Sequence, residues 1–147
     1  MIALVVYGIV EGSIIALGAI GLTMVFGILR FINFSHGDLL TLGAYLSLFI
    51  LNVLSIIGIS GGDFPYLSFG YPLMIAMVVS MGLTAGVAIL IHRLLYRPLG
   101  GSKSPFVTLG MSSLGIAFIL LSGIHILWGP QTKFYSVAIQ IALKLPF

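Results

Sequence analysis

Cysteine is absent from this chain of 147 residues, which excludes disulfides and thiolate metal sites. Charge is nearly as scarce. Six Lys/Arg and three Asp/Glu make up 6% of the residues, against roughly 25% in a soluble globular domain. The three acids, Glu11, Asp38 and Asp63, lie far apart in sequence, so paired-carboxylate chemistry finds no support. His-Glu-x-x-His and Gly-x-x-x-x-Gly-Lys-[Ser/Thr] strings are also missing, so the chain does not itself hydrolyse nucleotide through a P-loop. No metal and no cofactor is expected. Basic residues are not interleaved with aromatics in any patch, and nucleic acid is excluded as a partner. No basic region precedes the first apolar segment, which runs on past the length of a signal-peptide core; it reads as a span that stays in the membrane.

What is there instead is apolar. Hydrophobic residues make up 60% of the chain, mean hydropathy is +1.26, and runs of about twenty apolar residues recur, so the solvent is lipid. The expected fold class is all-α, a polytopic transmembrane helix bundle. About four spans are predicted: Gly12–Leu29, extended back to Ile2 by tilting or preceded by an interfacial stretch, then Leu39–Ile57, Pro72–Ile91 and Phe106–Trp128. A helix from Ile2 to Leu29 would be about 42 Å long, more than a ~30 Å hydrocarbon core requires. The remaining apolar run, Phe134–Leu143, is too short to cross as a helix. No soluble domain, low-complexity linker or short repeat interrupts residues 1–147.

Two connectors carry topological information. Gly58–Tyr71 holds Gly61-Gly62-Asp63-Phe64-Pro65, one acid and no base. His92–Pro105 holds Arg93, Arg97 and Lys103 around Pro98, with no acid, which marks the cytoplasmic side. Four spans then place the junction of spans one and two on the same side and both termini outside. Lys133 and Lys144 of the tail run against that count.

Small residues recur at helical spacing. Gly8, Gly12, Ala16, Ala19, Thr23 and Gly27 fall within about 100° of arc on span one, a stripe suited to close helix packing or to lining a path. On span three, Ala76, Ser80, Thr84 and Ala88 form one row and Gly82 and Gly86 a second, roughly opposite. Tyr66, Tyr71, Tyr96, Trp128 and Tyr135 fall near span ends, as interfacial aromatic belts do.

The polar residues concentrate between spans one and two, where Arg30, Asn33, Ser35, His36, Gly37 and Asp38 interrupt two apolar runs. Ser35-His-Gly-Asp38 fits a capping box for span two, with Ser35 on a free backbone N–H and Asp38 at the positive helix end. The same physics allows a second reading, in which the exposed N–H groups of a broken helix receive an anionic solute group such as a carboxylate. Asn33 is suited to bridge helices or hold the break, His36 to gate or to space the turn, and Arg30 to pair with Asp38. Glu11 suits the outer interface or an ion-coupling role.

These residues resemble a known family. Gly12-Ser-Ile-Ile-Ala-Leu17 followed by Gly21-Leu-Thr-Met-Val-Phe-Gly27, then Ile32-Asn-Phe-Ser-His-Gly-Asp38, Leu42-Gly-Ala-Tyr45, Tyr96-Arg-Pro-Leu99 and Thr108-Leu-Gly-Met-Ser112 are similar, in order, to blocks of branched-chain amino acid ABC-transporter permeases. The resemblance covers about residues 5 to 120. It implies a bacterial inner-membrane permease subunit that pairs with a homologous second permease and two cytoplasmic ATPase subunits, and receives cargo from a periplasmic amino-acid-binding protein. Cargo would be a branched-chain amino acid, or urea or a short amide as in relatives, moved by alternating access. Family permeases are about twice as long, so the chain is expected to be an N-terminal part lacking the ATPase-contacting loop. Gly100-Gly101 stands where members often carry a base. The competing readings are an ion-coupled carrier or channel using Glu11 or Asp38, and a fragment that only assembles with a full permease.

Overall fold

The structure, a computed structural model, describes residues 2–58, 70–100 and 106–135. The expected Asp63 turn, Lys103, Tyr66 and most of the apolar tail run lie outside the described residues. Helices α1 (Ile2–Leu29), α2 (His36–Ile56) and α3 (Tyr71–Ile91) are followed by a π-helical turn (His92–Tyr96), the single turn α4 (Arg97–Leu99) and α5 (Phe106–Trp128). Four helical stretches, Leu4–Leu29, His36–Ile56, Tyr71–Leu99 and Phe106–Trp128, are long and apolar enough to span a membrane, with mean hydropathies of 2.0 to 2.4. The protein is an all-α, multi-pass membrane bundle, as its composition predicts.

One boundary is corrected. Span three does not give way to a loop at His92. The helix runs on to Leu99 because His92-Arg-Leu-Leu-Tyr96 contains no breaker. The π-turn widens the backbone just ahead of Pro98, whose ring would otherwise press on the carbonyl four residues earlier. The Gly100 N–H then closes the helix on the Tyr96 carbonyl at 2.8 Å. A Cβ at Gly100 would sit 2.8 Å from that same oxygen, so a glycine belongs there.

The largest interface joins α2 to α3, and α5 packs on α2. Small residues set the approach. Ala76 and Ser80 are buried, and a Cβ added at Gly43 would lie 3.1 Å from the Thr84 hydroxyl oxygen. By contrast, a Cβ at Gly82 or Gly86 meets nothing within 4 Å, so among the described residues only one of the two small-residue rows of α3 is packed. Gly43→Ile is therefore expected to destabilise the purified chain by about 1–3 kcal/mol through overpacking. Gly86→Ile should stay within about 0.5 kcal/mol. Thermal unfolding of both variants in detergent checks the contrast.

Helix α1 makes no comparable interface. Its apolar window is 0% buried, and Gly8, Gly12 and Gly27 have open space around a virtual Cβ. The small-residue stripe thus faces outward from this chain. The buried core lies elsewhere, at the α1–α2 junction, where Phe31, Tyr96 and Ile116 cluster against Leu29, Leu95 and Leu109.

Candidate functional site

The break begins at Arg30. Its N–H still donates to the Phe26 carbonyl at 2.8 Å, but its φ of 56° is left-handed, a conformation that ends helices and that a non-glycine residue adopts at some cost. Burial of the next residue offsets that cost. The turn drives Phe31 into the core at 2% exposure, its ring edge-on to Tyr96 at 5.0 Å and 66°.

Asn33 and Ser35 are both buried, and one oxygen organises them. Asn33 Oδ1 accepts the Ser35 N–H at 3.1 Å and the Ser35 hydroxyl at 2.6 Å. The Tyr96 hydroxyl lies 3.1 Å from Asn33 Oδ1 and 3.3 Å from Ser35 Oγ. On the other side, the hydroxyl oxygen of Ser113 in α5 accepts the Phe34 N–H at 3.1 Å, while its proton goes to the Gly110 carbonyl at 2.7 Å. The His36 N–H reaches the Asn33 carbonyl at 3.3 Å, and the Leu39 N–H the Ser35 carbonyl at 3.0 Å. A helix broken in lipid must satisfy its freed backbone groups within the protein. Here the side chains of Asn33 and of Ser113 in α5 do so, taking the Ser35 and Phe34 N–H groups, while Tyr96 from the end of the third span holds Asn33 in place.

This arrangement corrects the capping box. Ser35 occupies the N-cap position of α2 at φ −74° and ψ −1°, without a side-chain capping bond. Its hydroxyl is turned back onto Asn33 instead, because helical rather than extended dihedrals point it away from the first-turn N–H groups. Asp38 keeps its place in the first turn of α2, where the helix dipole favours it. Among the described residues no ion pair joins it to Arg30. The Gly37 carbonyl accepts the Thr41 hydroxyl at 3.0 Å.

His36 stands apart from the knot. Its Nε2 is buried without a hydrogen-bond partner, and a Cβ placed on Gly21 of α1 would come within 3.2 Å of it. Gly21 is therefore where α1 can approach the start of α2. The structure leaves the remaining sequence candidates separate from the knot. Glu11, Ala16 and Thr23 are exposed along α1, with the Thr23 hydroxyl donating to the Ala19 carbonyl at 2.6 Å. Arg93, Arg97 and Pro98 are exposed at the end of the third span.

Tyr96 and Ser113 are the residues that sequence reasoning missed. Tyr96 is 6% exposed, which corrects its reading as a belt aromatic. No local signal marks it, because three residues after Arg93 it falls on the same side of a regular helix as that arginine. Trp128 does not stand alone either, since its ring lies 5.6 Å from Tyr45 and 6.4 Å from Phe49.

A family model described as branched-chain amino acid transport system, permease component, matches residues 4–144. No curated protein gives a significant match to the chain, and no solved structure does.

Proposed function

The chain belongs to the branched-chain amino acid transport permease family, and from that premise we propose that it is the N-terminal part of the membrane subunit of an ATP-binding-cassette importer for branched-chain and other hydrophobic amino acids, resident in a bacterial inner membrane. The family match over residues 4–144 carries the reading. As a multi-pass transport component, the chain offers a path and a moving scaffold, not a reaction. Its companions would be a homologous second permease, two cytoplasmic ATPase subunits and a periplasmic amino-acid-binding protein.

The geometry supports a division of labour. Asn33, Ser35, Tyr96 and Ser113 hold the α1–α2 elbow in one shape, because Asn33 and Ser35 are bonded to each other within it and Tyr96 and Ser113 tie it to the end of the third span and to α5. Alternating access would then proceed by rigid-body rotation of helices around a fixed elbow, with ATP hydrolysed on a partner. The His36 Nε2, the first turn of α2 and the exposed Arg30 are polar groups of this region that stand outside the knot.

Uptake of labelled leucine into vesicles holding the assembled transporter tests this. Uptake is expected to require ATP on the cytoplasmic face and to survive a protonophore. Uptake that continues without ATP and collapses with the proton gradient would replace the reading with an ion-coupled carrier.

A further inference from the structure

The arginines of the chain are Arg30, Arg93 and Arg97, and all of them gather at one place. In the buried cluster at the elbow, Leu29 and Phe31 from the end of α1 pack with Ile91, Leu95 and Tyr96 from the end of the third span. Arg30 lies between the first pair, Arg93 and Arg97 lie among the second set, and each of the arginines is exposed. Burial of their neighbours thus sets the guanidinium groups around the rim of a single apolar patch. Residues 24–37 and 88–100 contain no Asp or Glu. Asp38, the nearest acid in sequence, stands in the first turn of α2, and among the described residues no ion pair joins it to these arginines.

Arg30 also stands where its backbone is strained. Its φ of 56° suits glycine or asparagine, so the turn alone gives no reason for an arginine. A side chain kept at such a position points to a use beyond the turn.

Depth adds a constraint. The elbow meets α5 where the Phe34 N–H reaches Ser113. That serine is seven residues from Phe106 in a helix of 23 residues, about 10 Å along a rod of about 34 Å. Trp128 closes the other end of the same helix. The elbow therefore lies in the outer third of the bilayer on the side where the third span ends, and its arginines reach headgroup level by snorkelling. The anion met there is a lipid phosphate. Exposed Ile28 and Leu94, on the same two segments, present hydrocarbon to acyl chains, which a soluble anion lacks.

We propose that the rim formed by Arg30, Arg93 and Arg97 binds the headgroup of an anionic phospholipid, whose phosphate oxygens bridge the end of α1 to the end of the third span. Guanidinium forks take phosphate oxygens in pairs. With no acidic side chain in either segment to receive a choline or ethanolamine cation, an anionic headgroup is favoured over a zwitterionic one. The bridge braces the elbow from the lipid side, as the bond between Tyr96 and Asn33 braces it from within. The site is independent of which solute the chain carries.

The test uses the protein purified in a neutral detergent, with dioctanoyl phosphatidylglycerol or dioctanoyl phosphatidylcholine added while the thermal unfolding midpoint is followed. Phosphatidylglycerol is expected to raise the midpoint at much lower concentration, with a preference of about fivefold for each arginine engaged, the attraction of one base to an anionic bilayer surface. Arg93→Gln combined with Arg97→Gln should cut that preference about twenty-five-fold on the same basis. Arg30→Gly separates charge from folding, because glycine relieves the left-handed turn. Its midpoint without added lipid should hold or rise, while its preference for phosphatidylglycerol falls about fivefold. Should the double variant fail to fold, Arg30→Gly decides alone. Equal responses of the wild type to the two lipids, or a preference that survives intact in Arg30→Gly, overturns the site. The same rise in midpoint with inorganic phosphate at matched concentration also overturns it, in favour of a soluble anion.

Discussion

Asn33→Leu is expected to insert into the membrane at normal levels and then to lose the elbow, with leucine uptake reduced severely at matched expression. The replacement is similar in size and suits lipid, so insertion has no reason to fail. What disappears is Asn33 Oδ1, which serves the Ser35 N–H, the Ser35 hydroxyl and the Tyr96 hydroxyl. Each buried donor left without a partner costs about 1–3 kcal/mol. After partial relaxation the loss should be roughly 3 kcal/mol or more, a large part of the stability of a small bundle. Protease protection reports insertion, and thermal unfolding in detergent reports the loss. Unchanged uptake together with an unchanged unfolding midpoint would contradict the role given to this oxygen.

The second large effect separates the two halves of Tyr96. Tyr96→Ala removes a ring packed edge-on to Phe31 in the one buried cluster at the break, and is expected to cost about 3–5 kcal/mol. Tyr96→Phe keeps that ring and deletes only the hydroxyl, at about 1 kcal/mol. A double-mutant cycle between Tyr96→Phe and Asn33→Leu should show coupling of about 0.5 kcal/mol or more, because the two share a hydrogen bond. Simple additivity would mean that the hydroxyl works through something other than Asn33.

Much of the architecture was legible in the residues. Long apolar runs bounded by Gly, Pro and polar clusters predict helices close to those found, and α5 coincides with its expected span at both ends. Hydropathy is a strong signal because lipid leaves the backbone few alternatives. The elbow was legible as a break but not as a network. Asn33 and Ser35 stood out as polar residues amid apolar ones, yet their partners, Tyr96 and Ser113, lie 63 and 79 residues from Asn33 and Phe34 respectively. No local pattern announces a contact at that separation. The capping box misled for a related reason. Spacing alone does not reveal that Ser35 takes helical rather than extended dihedrals, which point its oxygen away from the first-turn N–H groups. The π-turn was equally invisible, since His92–Tyr96 has ordinary helix-forming composition and differs only in how its hydrogen bonds register ahead of Pro98.

The bareness of α1 has a mechanical consequence. The helix contacts its neighbours near its last turns, through Gly21 beside His36 and Leu29 against the buried cluster, while no residue of its apolar window is fully buried. Among the described residues it is a cantilever held over residues 21–29, with a free part about 29 Å long. A swing of about 10° displaces the free tip by about 5 Å on that length. A modest rotation of the fixed elbow as one body is therefore magnified into a larger lateral sweep on the opposite face of the bilayer.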